Sequence, residues 1–210
     1  MRKVYFFALF IVLISFLLSL YFYPQLPDKI ASHWDINGNV NGFMGKFLGL
    51  FLFPFIAVFL FLLFYFIPKI DPLKKNIDGF KNYIGGFIIL ILLFFLILQL
   101  QVILWNLGVE IPFGKTLSIL SGILFFYTGI LLENSKRNWF IGIRTPWTLS
   151  SEKVWKKTHK FGGKLFKISG IISVLGFFFQ KYVFYMIIFP VILTAVVTFF
   201  YSYFAYKRKR

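Results

Sequence analysis

Residues 47–67 read FLGLFLFPFIAVFLFLLFYFI, from Phe47 to Ile67, without one charged side chain. A membrane-spanning helix needs about 20 mostly apolar residues, and this run supplies them unaided. Working outward, comparable runs cover Val4 to Tyr23, Tyr83 to Leu107, Leu117 to Leu132, Leu165 to Phe179 and Tyr182 to Tyr206. Pro68 is expected to stop the Phe47 run, and Pro54 and Pro190 to kink their helices. The whole chain agrees with this reading. It has 210 residues, 59% apolar and 14% charged, with 32 Phe and no Cys. A soluble domain is nearer about 45–50% apolar and about 25% charged. The composition excludes a disordered chain, a water-soluble enzyme and a disulfide scaffold.

The formal net charge is +16. In a soluble protein this would point to nucleic acid; between apolar runs it sets topology, and no direct nucleic-acid binding is expected. With the N-terminus inside and six spans, the cytoplasmic side holds Arg2, Lys3, the lysines between Lys69 and Lys81, the basic residues between Lys136 and Lys167, and Lys207 to Arg210. Only Lys29, Lys46, Lys115 and Lys181 fall outside. The first run is too long for a signal-peptide core and lacks an A-x-A site, so it reads as a retained anchor. The expected fold is all-α: a multi-pass cell-membrane protein, a six-helix bundle with both termini cytoplasmic. A short extracellular loop domain and a cytoplasmic amphipathic helix complete it. Residues 1–82 form an N-terminal part and 83–210 a second part.

Two loops exceed mere connectors. The outer one, roughly Pro24 to Lys46, contains Ser32-His33-Trp34-Asp35-Ile36-Asn37-Gly38-Asn39-Val40-Asn41-Gly42. Ile30 to Ile36 reads as a strand and Asn37-Gly38 as a hairpin turn. Trp34 suits a lipid-interface anchor. His33, Trp34, Asp35, Asn37, Gly38 and Asn41 are the candidate outer recognition surface. His33 with Asp28 or Asp35 offers too few ligands for a metal site, and no metal or cofactor is expected.

The inner loop, roughly Glu133 to Lys164, begins Asn138-Trp139-Phe140-Ile141-Gly142-Ile143-Arg144-Thr145-Pro146-Trp147-Thr148-Leu149. Pro146 pushes Thr145 out of the helical region. Ser150 or Ser151 then caps an amphipathic helix. Trp155, His159, Gly162 and Phe166 share one face, and Lys153, Lys157, Lys160 and Lys164 another. Such a helix is expected on the inner leaflet, its lysines meeting anionic lipid. Arg144 suits bidentate pairing with carboxylate or phosphate; Glu133 and Glu152 are candidate internal partners.

The spans carry no acidic, Arg or His residue at mid-depth, which argues against proton-coupled transport and intramembrane proteolysis. Thr194, Thr198 and Ser202 form a stripe, and Ser118/Gly122, Ser169/Ser173 and Gly45/Gly49 are small-xxx-small pairs that favour close helix packing. The stripe with Gln99 supports the rival reading, a transporter or channel for a small or amphipathic substrate. Neither H-E-x-x-H nor G-x-S-x-G occurs, and no catalytic residue is assigned. A membrane enzyme built on His33 and Asp35 would need a bound divalent metal.

The stretch Asn138 to Leu149, continued by Trp155, Lys157, Thr158, His159, Gly162 and Gly163, resembles the SdpI family of membrane proteins. The outer Leu26 to Lys46 stretch is similar to a small domain that often precedes it. The resemblance implies immunity to a secreted killing-factor toxin or peptide. It also implies capture of a cytoplasmic repressor at the membrane when toxin is present. The inner candidates are therefore Asn138, Gly142, Arg144, Thr145, Pro146, Trp147, Trp155, His159 and Gly163, in a region that would dock a regulator.

Overall fold

The computed structural model describes residues 1–208, so Lys209 and Arg210 of the terminal basic run lie outside the described residues. The long helices are α1 (Arg2–Phe22), α2 (Lys46–Ile70), α4 (Lys81–Asn106), α5 (Phe113–Asn134), α7 (Glu152–Leu175) and α8 (Val183–Lys207). Short helices α3 (Lys74–Asp78) and α6 (Pro146–Ser150) lie in loops, and strands β1 (Lys29–Trp34) and β2 (Val40–Gly45) form an antiparallel hairpin. Five helices, all the long ones except α7, are long and apolar enough to cross a membrane. The chain is a mostly helical, multi-pass membrane protein.

The helices group as two sets of three. In the first, Ile84, Ile88 and Leu92 of α4 bury against Ala8, Ile11 and Val12 of α1 and Ala57 of α2. In the second, α7 lies between α5 and α8, and α5 also meets α4. The α5–α7 contact is the most extensive between helices. Facing glycines make it close. A Cβ on Gly122 would lie 2.7 Å from the Gly170 carbonyl oxygen, and one on Gly163 would lie 2.6 Å from that of Gly129. Backbone meets backbone, as in membrane helix pairs built on small residues. Lys167 bridges to Glu133 across the same interface at 2.8 Å.

Three prolines sit inside spans, at positions 54, 68 and 190. Each lacks the N–H that would bond the carbonyl four residues back. A neighbouring hydroxyl reaches each freed carbonyl. Ser19 donates to Leu50 O at 2.8 Å, Tyr5 to Phe64 O at 3.5 Å, and Ser173 to Met186 O at 3.4 Å. In hydrocarbon, where water offers no partner, this replacement keeps the helices viable. Pro68 therefore does not end α2, which runs on to Ile70. Gln99 ties the first set together: its amide donates to Ser15 O and Ser19 Oγ, and its carbonyl accepts from Ser15 Oγ.

Several expectations change. The amphipathic helix and the Leu165 span are one continuous α7, and its Trp155, His159 and Gly162 are buried in protein rather than laid on lipid. The strand ends at Trp34, not Ile36, and the hairpin loop runs Asp35–Asn39. Gly45/Gly49 does not pair two helices. Gly49 instead leaves room for Ile30 of β1, and Gly45 faces open space.

Candidate functional site

The recognition candidates fall at opposite ends of the bundle, so two separate sites must be considered. At the hairpin end, Asp35 Oδ1 accepts the N–H groups of Asn37 and Asn39 at 2.8 and 2.9 Å. These backbone bonds, the one from Asn39 foremost, hold its carboxyl below the usual carboxylate range. Gly38, at φ +86°, completes the turn. Asp35 is thus the residue that shapes the loop. The half-buried Trp34 ring stacks on Phe113 at 4.6 Å and meets Trp105 edge-on, so it holds the hairpin to the helix ends. Asn106 locks the hairpin to α4, accepting the Ala31 N–H at 2.7 Å and donating to Ala31 O at 3.1 Å. The exposed side chains here include His33 and Asn41, which meet through His33 Nδ1, together with Lys29, Ile36, Asn37, Asn39 and Phe43.

At the lysine-rich end the motif folds into a platform. Asn138 is wholly buried and fully bonded. Its Nδ2 donates to Lys136 O and Ile141 O, and its Oδ1 accepts from the Phe140 and Ile141 N–H groups. Asp71, also buried, accepts from Leu73 N and Trp139 N, joining the α2–α3 turn to the platform. Thr145 caps α6 in a reciprocal pair with Thr148 and meets Ser202 of α8 at 3.0 Å. Pro146 occupies the first turn, where a missing N–H costs nothing. Trp147 packs edge-on against Phe199 and Tyr203 of α8.

His159 centres this platform. The Ile143 N–H donates to its Nε2 at 2.9 Å, so the proton resides on Nδ1, which donates to Trp155 O at 2.8 Å. Burial pushes its pKa down to about 4, against a smaller upward pull from the Trp155 carbonyl. The Trp155 ring stacks on it at 3.9 Å and donates from Nε1 to Ser135 O. Gly142 has φ +123°, and a Cβ there would run into His159 Nε2. Gly163 belongs to the α5–α7 contact described above.

Arg144 is exposed and donates to Trp139 O at 2.8 Å; the candidate partner Glu133 pairs with Lys167 instead. The polar stripe of α8 is packed. Thr194 meets Ser169 at 3.0 Å, and Thr198 lies against Gly162. Among the described residues no group of three His, Cys, Asp or Glu could hold a metal. Sequence reading marked Gly122 as a close-packing position and Gly163 as a candidate, but missed Asn106, Asp71 and the glycines that face those two, Gly170 and Gly129, each of which acts through a partner far along the chain.

Residues 134–202 match the family model of the SdpI/YfhL protein family, and residues 10–58 match a domain of unknown function, DUF1648. The chain is 33% identical over 202 residues to the immunity protein SdpI of Bacillus subtilis (strain 168), covering 96% of this chain and 95% of that one. No solved structure matches. With matched segments that include both the hairpin and the His159 platform, the chain belongs to the SdpI/YfhL protein family.

Proposed function

We propose that this protein is an immunity protein that acts from within the cell membrane against a secreted toxin or peptide. The observation that carries the reading is its near full-length similarity to an immunity protein. The hairpin end would meet the toxin, through His33, Asn37, Asn41 and exposed Phe43. The platform would hold α5, α7 and α8 in register, and the exposed lysines around it would dock a cytoplasmic regulator. No catalytic step is assigned.

The proposed topology has six spans, with both termini cytoplasmic. The pairing of Gly163 with Gly129 and of Gly170 with Gly122 supports α7 as the sixth, because it runs antiparallel along α5 through that helix's own depth. The lopsided distribution of Lys and Arg supports the orientation. The test is survival. A toxin-sensitive host expressing the chain is challenged with the secreted peptide encoded nearest its gene. Growth at a dose that kills the vector control is the expected result; equal killing, with the protein in the membrane, would refute the proposal.

A further inference from the structure

The geometry points to a binding site for an anionic phospholipid at the lysine-rich end, its phosphate between Lys157 and Arg208 and its acyl chains along α8. A cavity of about 290 Å³ opens there, lined by Lys157 of α7 and by Tyr201, Phe204, Ala205 and Arg208 of α8 and its C-terminal turn. Its chemistry is divided. Lys157 and Arg208 are exposed cations, and neither makes an ion pair among the described residues. No carboxylate at this end pairs with either cation: Glu152, exposed in the first turn of α7, makes no ion pair among the described residues, and the others are engaged elsewhere. Glu133 pairs with Lys167, Asp78 approaches Lys81, and Asp71 accepts two backbone N–H groups. An anion is what the cationic rim lacks.

The rest of the wall is apolar and aromatic. Tyr201 is held by stacking on Phe161 at 4.5 Å, which fixes that side of the cavity. Phe204 is 55% exposed, and Leu193, Val196, Phe200 and Phe204 follow at helical spacing, all exposed. This stripe runs from the middle of a helix apolar enough to span a membrane directly to the cations. A guanidinium and an ammonium at the end of an apolar stripe match a phosphodiester carrying acyl chains. A soluble phosphate would leave the stripe unused, and an acidic protein segment would not need it to continue into the bilayer. The inference depends on α8 being a span. It is independent of immunity and of which side of the membrane this end faces.

The test is native mass spectrometry of the full chain in detergent, titrated with phosphatidylglycerol and, separately, phosphatidylcholine. Lys157→Gln with Arg208→Gln is expected to weaken binding of the first phosphatidylglycerol by about tenfold. Lys74→Gln with Lys75→Gln, which removes the same charge from exposed sites on α3, is expected to leave it unchanged. All forms should keep the wild-type melting temperature, since these side chains are exposed. Equal weakening in both variants, or none in either, would overturn the site. Displacement of the lipid by millimolar glycerol phosphate would also overturn it, by showing a soluble-phosphate site.

Discussion

His159 is buried, neutral and fixed in one tautomer by a single backbone N–H. Its folded pKa of about 4 lies below the ordinary histidine value of about 6.5. The unfolded chain therefore binds the proton more readily between those values. Stability from this group is complete above the ordinary pKa and is lost as pH falls toward the folded one, by up to about 3 kcal/mol. Chemical unfolding in detergent should show the loss between pH 7 and pH 5, and His159→Phe should flatten it. Beside it, Gly142→Ala meets both a positive φ and the imidazole. It should cost about 1–3 kcal/mol in the same assay. An alanine protein as stable as the parent would remove the platform from the account.

At the scale of elements, the prolines and glycines make separable demands. Ser19→Ala should destabilise by about 1–3 kcal/mol, because Leu50 O is then left unpaired and the buried Gln99 amide loses one of its two acceptors. In a Pro54→Ala background, where residue 54 regains its N–H, the same change should cost less by the Leu50 share alone, the Gln99 share remaining; a double-mutant cycle reads the difference. Gly163→Val should part α5 from α7 and lower stability by about 1–3 kcal/mol, while Gly45→Ala, facing open space, should be nearly silent. The helices were legible because apolar runs of this length have few alternatives. α7 was split in the sequence reading because its first half is rich in Lys. What buries Trp155 and His159 there is the 135–143 loop, and hydropathy along one segment does not reveal a loop folded back on it. Pro68 misled for a related reason: the Tyr5 hydroxyl that helps its helix continue lies on another span.

For the whole molecule, topology is directly testable because the sequence contains no Cys. Single cysteines at Asn37 and at Lys75 should label from opposite sides of the membrane with an impermeant maleimide, outside for Asn37 and inside for Lys75. Labelling from one side would contradict the six-span path. The two ends were legible as unusual loops, from turn residues at one and an aromatic, proline-bearing motif at the other. Their internal roles were not. Asp35, read as a recognition residue, builds the turn, and Trp34 fixes the hairpin to Phe113 and Trp105. A recognition test must therefore spare both. The most direct measurement is toxin survival of a sensitive host carrying His33→Ala with Phe43→Ala, at membrane levels equal to the parent. Loss of protection, with melting behaviour retained, is the expected result; full protection would contradict recognition through the hairpin.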